Sequence, residues 1–224
     1  MRRVERLFFR SHKRRLEPAT WSETAFRMVI DALALCIVLA GILILIAPWK
    51  PRFRSIRPGE ADFQTALEKL CAKGGDRWRY VVVHHSATTG GGAAAFARYH
   101  EFSKGWDALA YHFVIGNGTQ TEDGEIEVGP RWERQEAGSH AGVLEYNEHG
   151  IGICLVGDFT RQRPTVLQMR SLEALARCLM RRCNIPPENV VGHRECPGAA
   201  TECPGANMDM DALRRTLGSL SDSP

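Results

Sequence analysis

The chain has 224 residues, 44% of them hydrophobic and 25% charged, enough for one globular domain with additional segments. A net charge of +3 is too small to argue for a nucleic-acid partner, and the basic residues gather at the start: eight precede residue 28, namely Arg2, Arg3, Arg6, Arg10, Lys13, Arg14, Arg15 and Arg27. Seven cysteines, an odd number without regular close pairing, argue against a full disulfide framework and leave room for one or two bridges.

Residues 28–47 read MVIDALALCIVLAGILILIA, with a single charge, Asp31, near the start. As a helix rising 1.5 Å per residue, this stretch reaches roughly 30 Å, the thickness of a bilayer core. A buried core helix rarely stays apolar on every face for so long, and the "IAPWKP" that follows offers no A-x-A cleavage site. The expectation is therefore one uncleaved N-terminal transmembrane helix over residues 28–48, flanked by Trp21 and Trp49. The eight basic residues ahead of it outnumber the four behind it (Lys50, Arg52, Arg54, Arg57). That bias places a basic tail, 1–27, in the cytoplasm and everything after Trp49 on the periplasmic or extracellular side of the cell membrane. The Pro- and Arg-rich stretch from 49 to about 60 reads as a stiff linker. In "EADFQTALEKLCAK", Phe63, Leu67 and Leu70 have helical spacing, so 49–76 is expected to be a linker plus a short helix.

From Arg77 onward strand and helix patterns alternate. RYVVVHH, AYHFVIGNGT, GIGICLVGD and NVVGH read as strands; AAAFARYHEFSK, TVLQMRSLEALARCLMRRC and MDALRRTLGSL read as helices. Thr165 and Gln168 have the spacing of a capping box. This alternation predicts an α/β domain over 77–218, a central mixed sheet flanked by helices, followed by a short tail at 219–224.

The densest chemistry lies in "GHRECPGAATECPG", residues 192–205, where His193, Cys196 and Cys203 sit on a loop after a strand. A His/Cys set on a loop can hold zinc, although this spacing is not that of a zinc finger. If His193 and Cys203 bind zinc, a third ligand must come from another strand end, and "VVVHHSAT" offers His84 or His85. Neighbouring side chains on a strand point to opposite faces, so one of the two at most serves. Three protein ligands would leave the fourth tetrahedral position open for water, as in catalytic rather than structural sites.

The segments "VVVHHSAT", "AYHFVIGNGT", "GSHAGVLEYNEHGIGICLVGDF" and "GHRECPGAATECPG" occur in the order seen in zinc N-acetylmuramoyl-L-alanine amidases, the family that includes bacteriophage T7 lysozyme and the peptidoglycan recognition proteins. The resemblance covers about residues 77–217. It implies a peptidoglycan recognition protein/amidase-like fold and hydrolysis of the amide between N-acetylmuramic acid and L-alanine in peptidoglycan or a muropeptide. The alternative it allows is a recognition module on the same fold that binds without cutting. On this resemblance His84, His193 and Cys203 are the zinc ligands and His85 is not. Tyr111 matches the catalytic tyrosine, and Thr201 stands where the T7 enzyme has a catalytic-site lysine. His140 and Asn147 match positions lining the substrate groove, and His112, beside Tyr111, is a further substrate-side candidate. Where the cytoplasmic branch of the family has a glutamate base, this chain has Cys154 and Val156, so no dedicated general base is evident. Cys196 reads as a bystander or disulfide partner rather than a ligand. Non-catalytic recognition proteins of this kind typically lose the cysteine ligand, so the presence of Cys203 favours catalysis.

Overall fold

A computed structural model describes residues 22–46 and 53–219. The chain divides into two compact units, Met1–Trp49 and Lys50–Pro224. Residues 1–21 of the basic tail, with the flanking residue Trp21, the stretch 47–52 with Trp49, and the C-terminal residues 220–224 lie outside the described residues.

In the first unit, helix α1 spans Glu23–Ile46. Its opening turns carry Glu23, Arg27 and Asp31 at four-residue spacing, which puts three charges on one face. No helix among the described residues is long and apolar enough to cross a membrane. This corrects the expected transmembrane anchor over 28–48, and with it the single-pass topology, the membrane as a partner and the placement of the domain across a membrane. Residues 28–46 of the apolar run lie within α1, whose first turns are charged.

The second unit is built from β1 (Arg54–Ile56), α2 (Phe63–Cys71), β2 (Tyr80–His85), α3 (Ala93–Lys104), β3 (Phe113–Ile115) and β4 (Ile126–Val128). There follow α4 (Pro130–Arg134), α5 (Leu144–Glu148), β5 (Gly150–Leu155), α6 (Val166–Cys183), β6 (Val190–Gly192) and α7 (Met210–Gly218). Six strands form one mixed sheet in the order β1-β4-β3-β5-β2-β6. Strands β3, β5, β2 and β6 run parallel, while β4 is antiparallel to both β3 and β1. The segment read as part of a stiff linker thus contributes the edge strand, with Arg54 opposite Val128.

Period-2 alternation divides the sheet into two faces. Val81, Val83, Ile151, Ile153, Leu155, Phe113 and Ile115 point into the main core, closed by α2, α6 and α7 through Leu67, Leu70, Leu172, Leu175, Leu179, Leu213 and Leu217. Burying a leucine or isoleucine of this kind is worth roughly 1.5–3 kcal/mol, so this layer supplies most of the cohesion. The opposite face is thinner: Val114, Cys154, Ala93, Ala97 and Leu109 pack there, with Tyr111 and Phe96 against them. Helix α6 starts as its letters predict, with the Thr165 hydroxyl accepting from the Gln168 N–H and the Gln168 side chain accepting from the Thr165 N–H.

Candidate metal centre

His84, next to last in β2, lies on the thin face opposite Cys154 of β5. Its ring is buried at 1% exposure. Nδ1 stands 3.6 Å from the Cys203 sulfur and Nε2 stands 3.0 Å from His140 Nδ1. Strand β6 pairs in parallel with β2, so the turn that leaves it, His193–Glu195, starts beside the end of β2. The His84 and His193 rings are accordingly 4.6 Å apart. The loop beyond that turn returns Cys203 to the same point, pinned by the Arg194 N–H donating to the Cys203 carbonyl and by the Arg194 guanidinium on the Gly205 and Met208 carbonyls.

The ligand-capable atoms of His84, His193 and Cys203 all lie within 4.8 Å of one another. Among the described residues this is the one His, Cys, Asp or Glu cluster of three or more able to hold a metal ion. Two imidazoles and a thiol suit zinc, and bonds of about 2.0–2.3 Å at tetrahedral angles put neighbouring N and S ligands roughly 3.6 Å apart. The 3.6 Å between His84 Nδ1 and the Cys203 sulfur matches that separation, so the residues present fit the ion.

Burial holds His84 well below the ordinary imidazole range, and the neighbouring His140 and His193 rings lower it further. Burial also lowers His193, offset in part by its hydrogen bond to the Ala141 carbonyl. Both rings are therefore neutral, the form that ligates. Burial pushes the Cys203 thiol up to about 11, against the opposing pull of the His85 backbone N–H, which donates to the sulfur over 3.4 Å, and of the Arg194 charge.

The remaining expected site residues stand at different depths. Tyr111 packs beside the trio, its ring 5.2 Å from that of His84. Burial, reinforced by the neighbouring Cys154 and Cys203, raises its hydroxyl well above the ordinary tyrosine range, so it stays protonated. Thr201 accepts the Cys203 N–H on its hydroxyl at 3.1 Å, so its recorded contact is with the backbone of a ligand-bearing residue. His140 is buried behind His84, between that ring and the Gly150 carbonyl. Asn147 accepts the N–H groups of His140 and Ala141 on one side-chain oxygen, at 2.9 and 2.8 Å. His112 is fully buried: Nδ1 accepts from the Gly152 N–H and Nε2 donates to the Glu136 carbonyl. The structure thus brings His84, His193, Cys203 and Tyr111 together and sets His140, Asn147 and His112 beneath and behind them. The expected general-base positions hold no carboxylate: Cys154 is a buried thiol raised well above its usual range by burial.

His85 faces the other way, against Phe159, with Nδ1 accepting the Phe159 N–H at 3.0 Å. Cys196 is buried, with its thiol on the Gly192 carbonyl, and is not part of the metal cluster. Two residues that sequence reasoning left unassigned shape the site by having no side chain. A Cβ on Gly152 would stand 2.4 Å from the His140 ring and one on Gly138 would stand 2.2 Å from it. A glycine inside the otherwise apolar strand GIGICL is the signal that could have found the first, because such a glycine often marks a close approach.

The chain is similar to known proteins. The sequence profile of the N-acetylmuramoyl-L-alanine amidase family matches residues 74–206. The chain is 33% identical over 119 residues to a human N-acetylmuramoyl-L-alanine amidase, covering 52% of this chain and 19% of that protein. It is 32% identical over 111 residues to peptidoglycan-recognition protein SC2 of Drosophila melanogaster, covering 49% of this chain and 54% of that one. The match thus spans about a fifth of the human relative's length and about half of the insect protein's. Among solved structures, the endolysin N-acetylmuramoyl-L-alanine amidase LysCS from Clostridium intestinale superposes with a TM-score of 0.53 at 30% identity, covering 65% of this chain and 86% of that one. With the profile matching more than half of its length, the chain belongs to the N-acetylmuramoyl-L-alanine amidase family.

Proposed function

We propose that the domain is a zinc-dependent hydrolase that cuts the amide between N-acetylmuramic acid and L-alanine in peptidoglycan. The observation that carries this reading is the His84–His193–Cys203 cluster, whose ligand atoms lie within 4.8 Å of one another on a chain of this family. A bound zinc ion would supply two things that amide hydrolysis needs, an acidified water and a polarised carbonyl. The chain's own residues do the rest. Around a bound zinc ion, the Cys203 thiolate and the two neutral imidazoles would leave a net charge of +1, which would favour charge building on the carbonyl oxygen. Tyr111, kept protonated by burial and hydrogen-bonded with Cys154, has its ring beside His84 and would serve as a hydroxyl donor there. Thr201 and Arg194 hold the loop that presents Cys203.

The test is a digest of intact peptidoglycan by the purified chain, with zinc and then with a chelator, scored by release of stem peptides bearing free L-alanine amino groups. The expected result is release with zinc and none with chelator. Binding to peptidoglycan without release, in the zinc-loaded protein, would instead identify a recognition module.

A further inference from the structure

Behind the candidate ligands lies a short hydrogen-bonded relay that the expected groove-lining role of His140 does not explain. The Gly150 carbonyl can only accept, so the His140 Nε2 that faces it at 3.2 Å carries a hydrogen. A neutral His140 then has an unprotonated Nδ1, and that atom faces His84 Nε2 at 3.0 Å. It can only accept there, which puts the hydrogen of His84 on Nε2 and leaves the lone pair on Nδ1, the atom turned toward Cys203. His193 is set in the same way by the adjacent residue, its Nε2 donating to the Ala141 carbonyl at 2.9 Å. One dipeptide, His140–Ala141, thus contacts both candidate histidine ligands, and Asn147 clamps its two N–H groups with a single side-chain oxygen. Room for the ring comes from Gly152 of β5 and from Gly138, where any side chain would collide with it.

We propose that His140 is a positioning residue that fixes His84 in the tautomer presenting Nδ1 to the metal, with Asn147 holding His140 in place. The proposal rests on the metal reading above, but it predicts a property of the metal-free protein as well. A ligand ring with a fixed outer hydrogen bond is oriented and correctly protonated before the metal arrives, and losing such a partner typically costs about 10–100-fold in metal affinity.

The experiment compares the wild-type chain with His140→Phe and His140→Asn. Phenylalanine fills the slot without an acceptor, whereas asparagine places an oxygen close to the position of the imidazole Nδ1. Two quantities are read: the His84 tautomer, from long-range nitrogen–proton NMR of the metal-free protein, and zinc affinity, by competition with a chromophoric chelator. The expected result is His84 protonated at Nε2 in the wild type, a loss of about 10–100-fold in zinc affinity for His140→Phe, and retention of affinity within about threefold for His140→Asn. A wild-type His84 protonated at Nδ1 would overturn the proposal, even if neither variant folds. So would a folded His140→Phe that binds zinc as tightly as wild type. A wild-type chain that binds no zinc would defeat the metal reading, while the tautomer of His84 would still decide this inference.

Discussion

Along β2, one step of the chain separates a residue of the candidate metal centre from a residue of the fold. His84 turns to the thin face of the sheet, where Cys203, His193 and Tyr111 converge, and His85 turns to Phe159. Replacing His84 by Ala should therefore abolish stoichiometric zinc binding. Replacing His85 by Ala should keep the zinc, because it is the His85 backbone, through its N–H and its carbonyl, that meets the Cys203 sulfur. It should instead lower stability by about 1–3 kcal/mol, the cost of leaving the buried Phe159 N–H without its acceptor. Elemental analysis and denaturant melts of the two variants separate these effects; zinc lost from His85→Ala and kept by His84→Ala would reverse the assignment. At this scale alternation alone said that one histidine of the pair at most reaches a shared site, and the family resemblance selected His84. What the letters could not convey is depth. His140 and Asn147 are motif residues, and only the folded chain places His140 against the back of His84 and Asn147 on the His140 N–H.

The parallel strands β2, β5 and β6 act as a frame that aligns His84 with Cys154 and brings the turn after β6 alongside. Long periodic segments such as α6 and β2 were legible because burial imposes a repeat on many consecutive residues. Strand β1 hides in a Pro- and Arg-rich stretch, and the three residues of β4 include Glu127 between two apolar neighbours, too short a run to stand out from its polar surroundings. The apolar run in residues 28–47 misled in the opposite direction: hydropathy marked a span, whereas the helix that forms starts earlier and includes three charges. Helix α6 lies on the far face of the sheet from His84, which makes its cap a useful control. Thr165→Ala should cost about 1 kcal/mol through loss of the capping box, with zinc affinity unchanged. Chemical denaturation and zinc titration of the same variant check both halves.

At the scale of the whole molecule, stability should depend on pH through histidines that the fold keeps neutral. His112 is driven down to about 4, first by burial, and its Nδ1 accepts the Gly152 N–H, so protonation would set two donors against each other. A histidine lowered in the folded state binds fewer protons than in the unfolded chain, so stability rises with pH across the interval between the two values. Its contribution is complete above about 6.5 and is lost as pH falls toward 4, amounting to about 3 kcal/mol for this residue. Unfolding free energies measured from pH 7.5 to 4.5 should decline accordingly, and His112→Phe should flatten the decline; an unchanged slope in that variant would remove His112 from the explanation. Burial likewise keeps the His84 and His193 rings in the neutral form that ligates near neutral pH, which links the fold's acid sensitivity to its proposed activity. That activity is tested most directly by comparing wild type and Cys203→Ser on intact peptidoglycan in zinc-containing buffer, counting free L-alanine amino groups released per minute. The account predicts steady release by the wild type and a fall of more than about a hundredfold in the variant, beyond what altered outer hydrogen bonds cost. Equal release by the two proteins would contradict it.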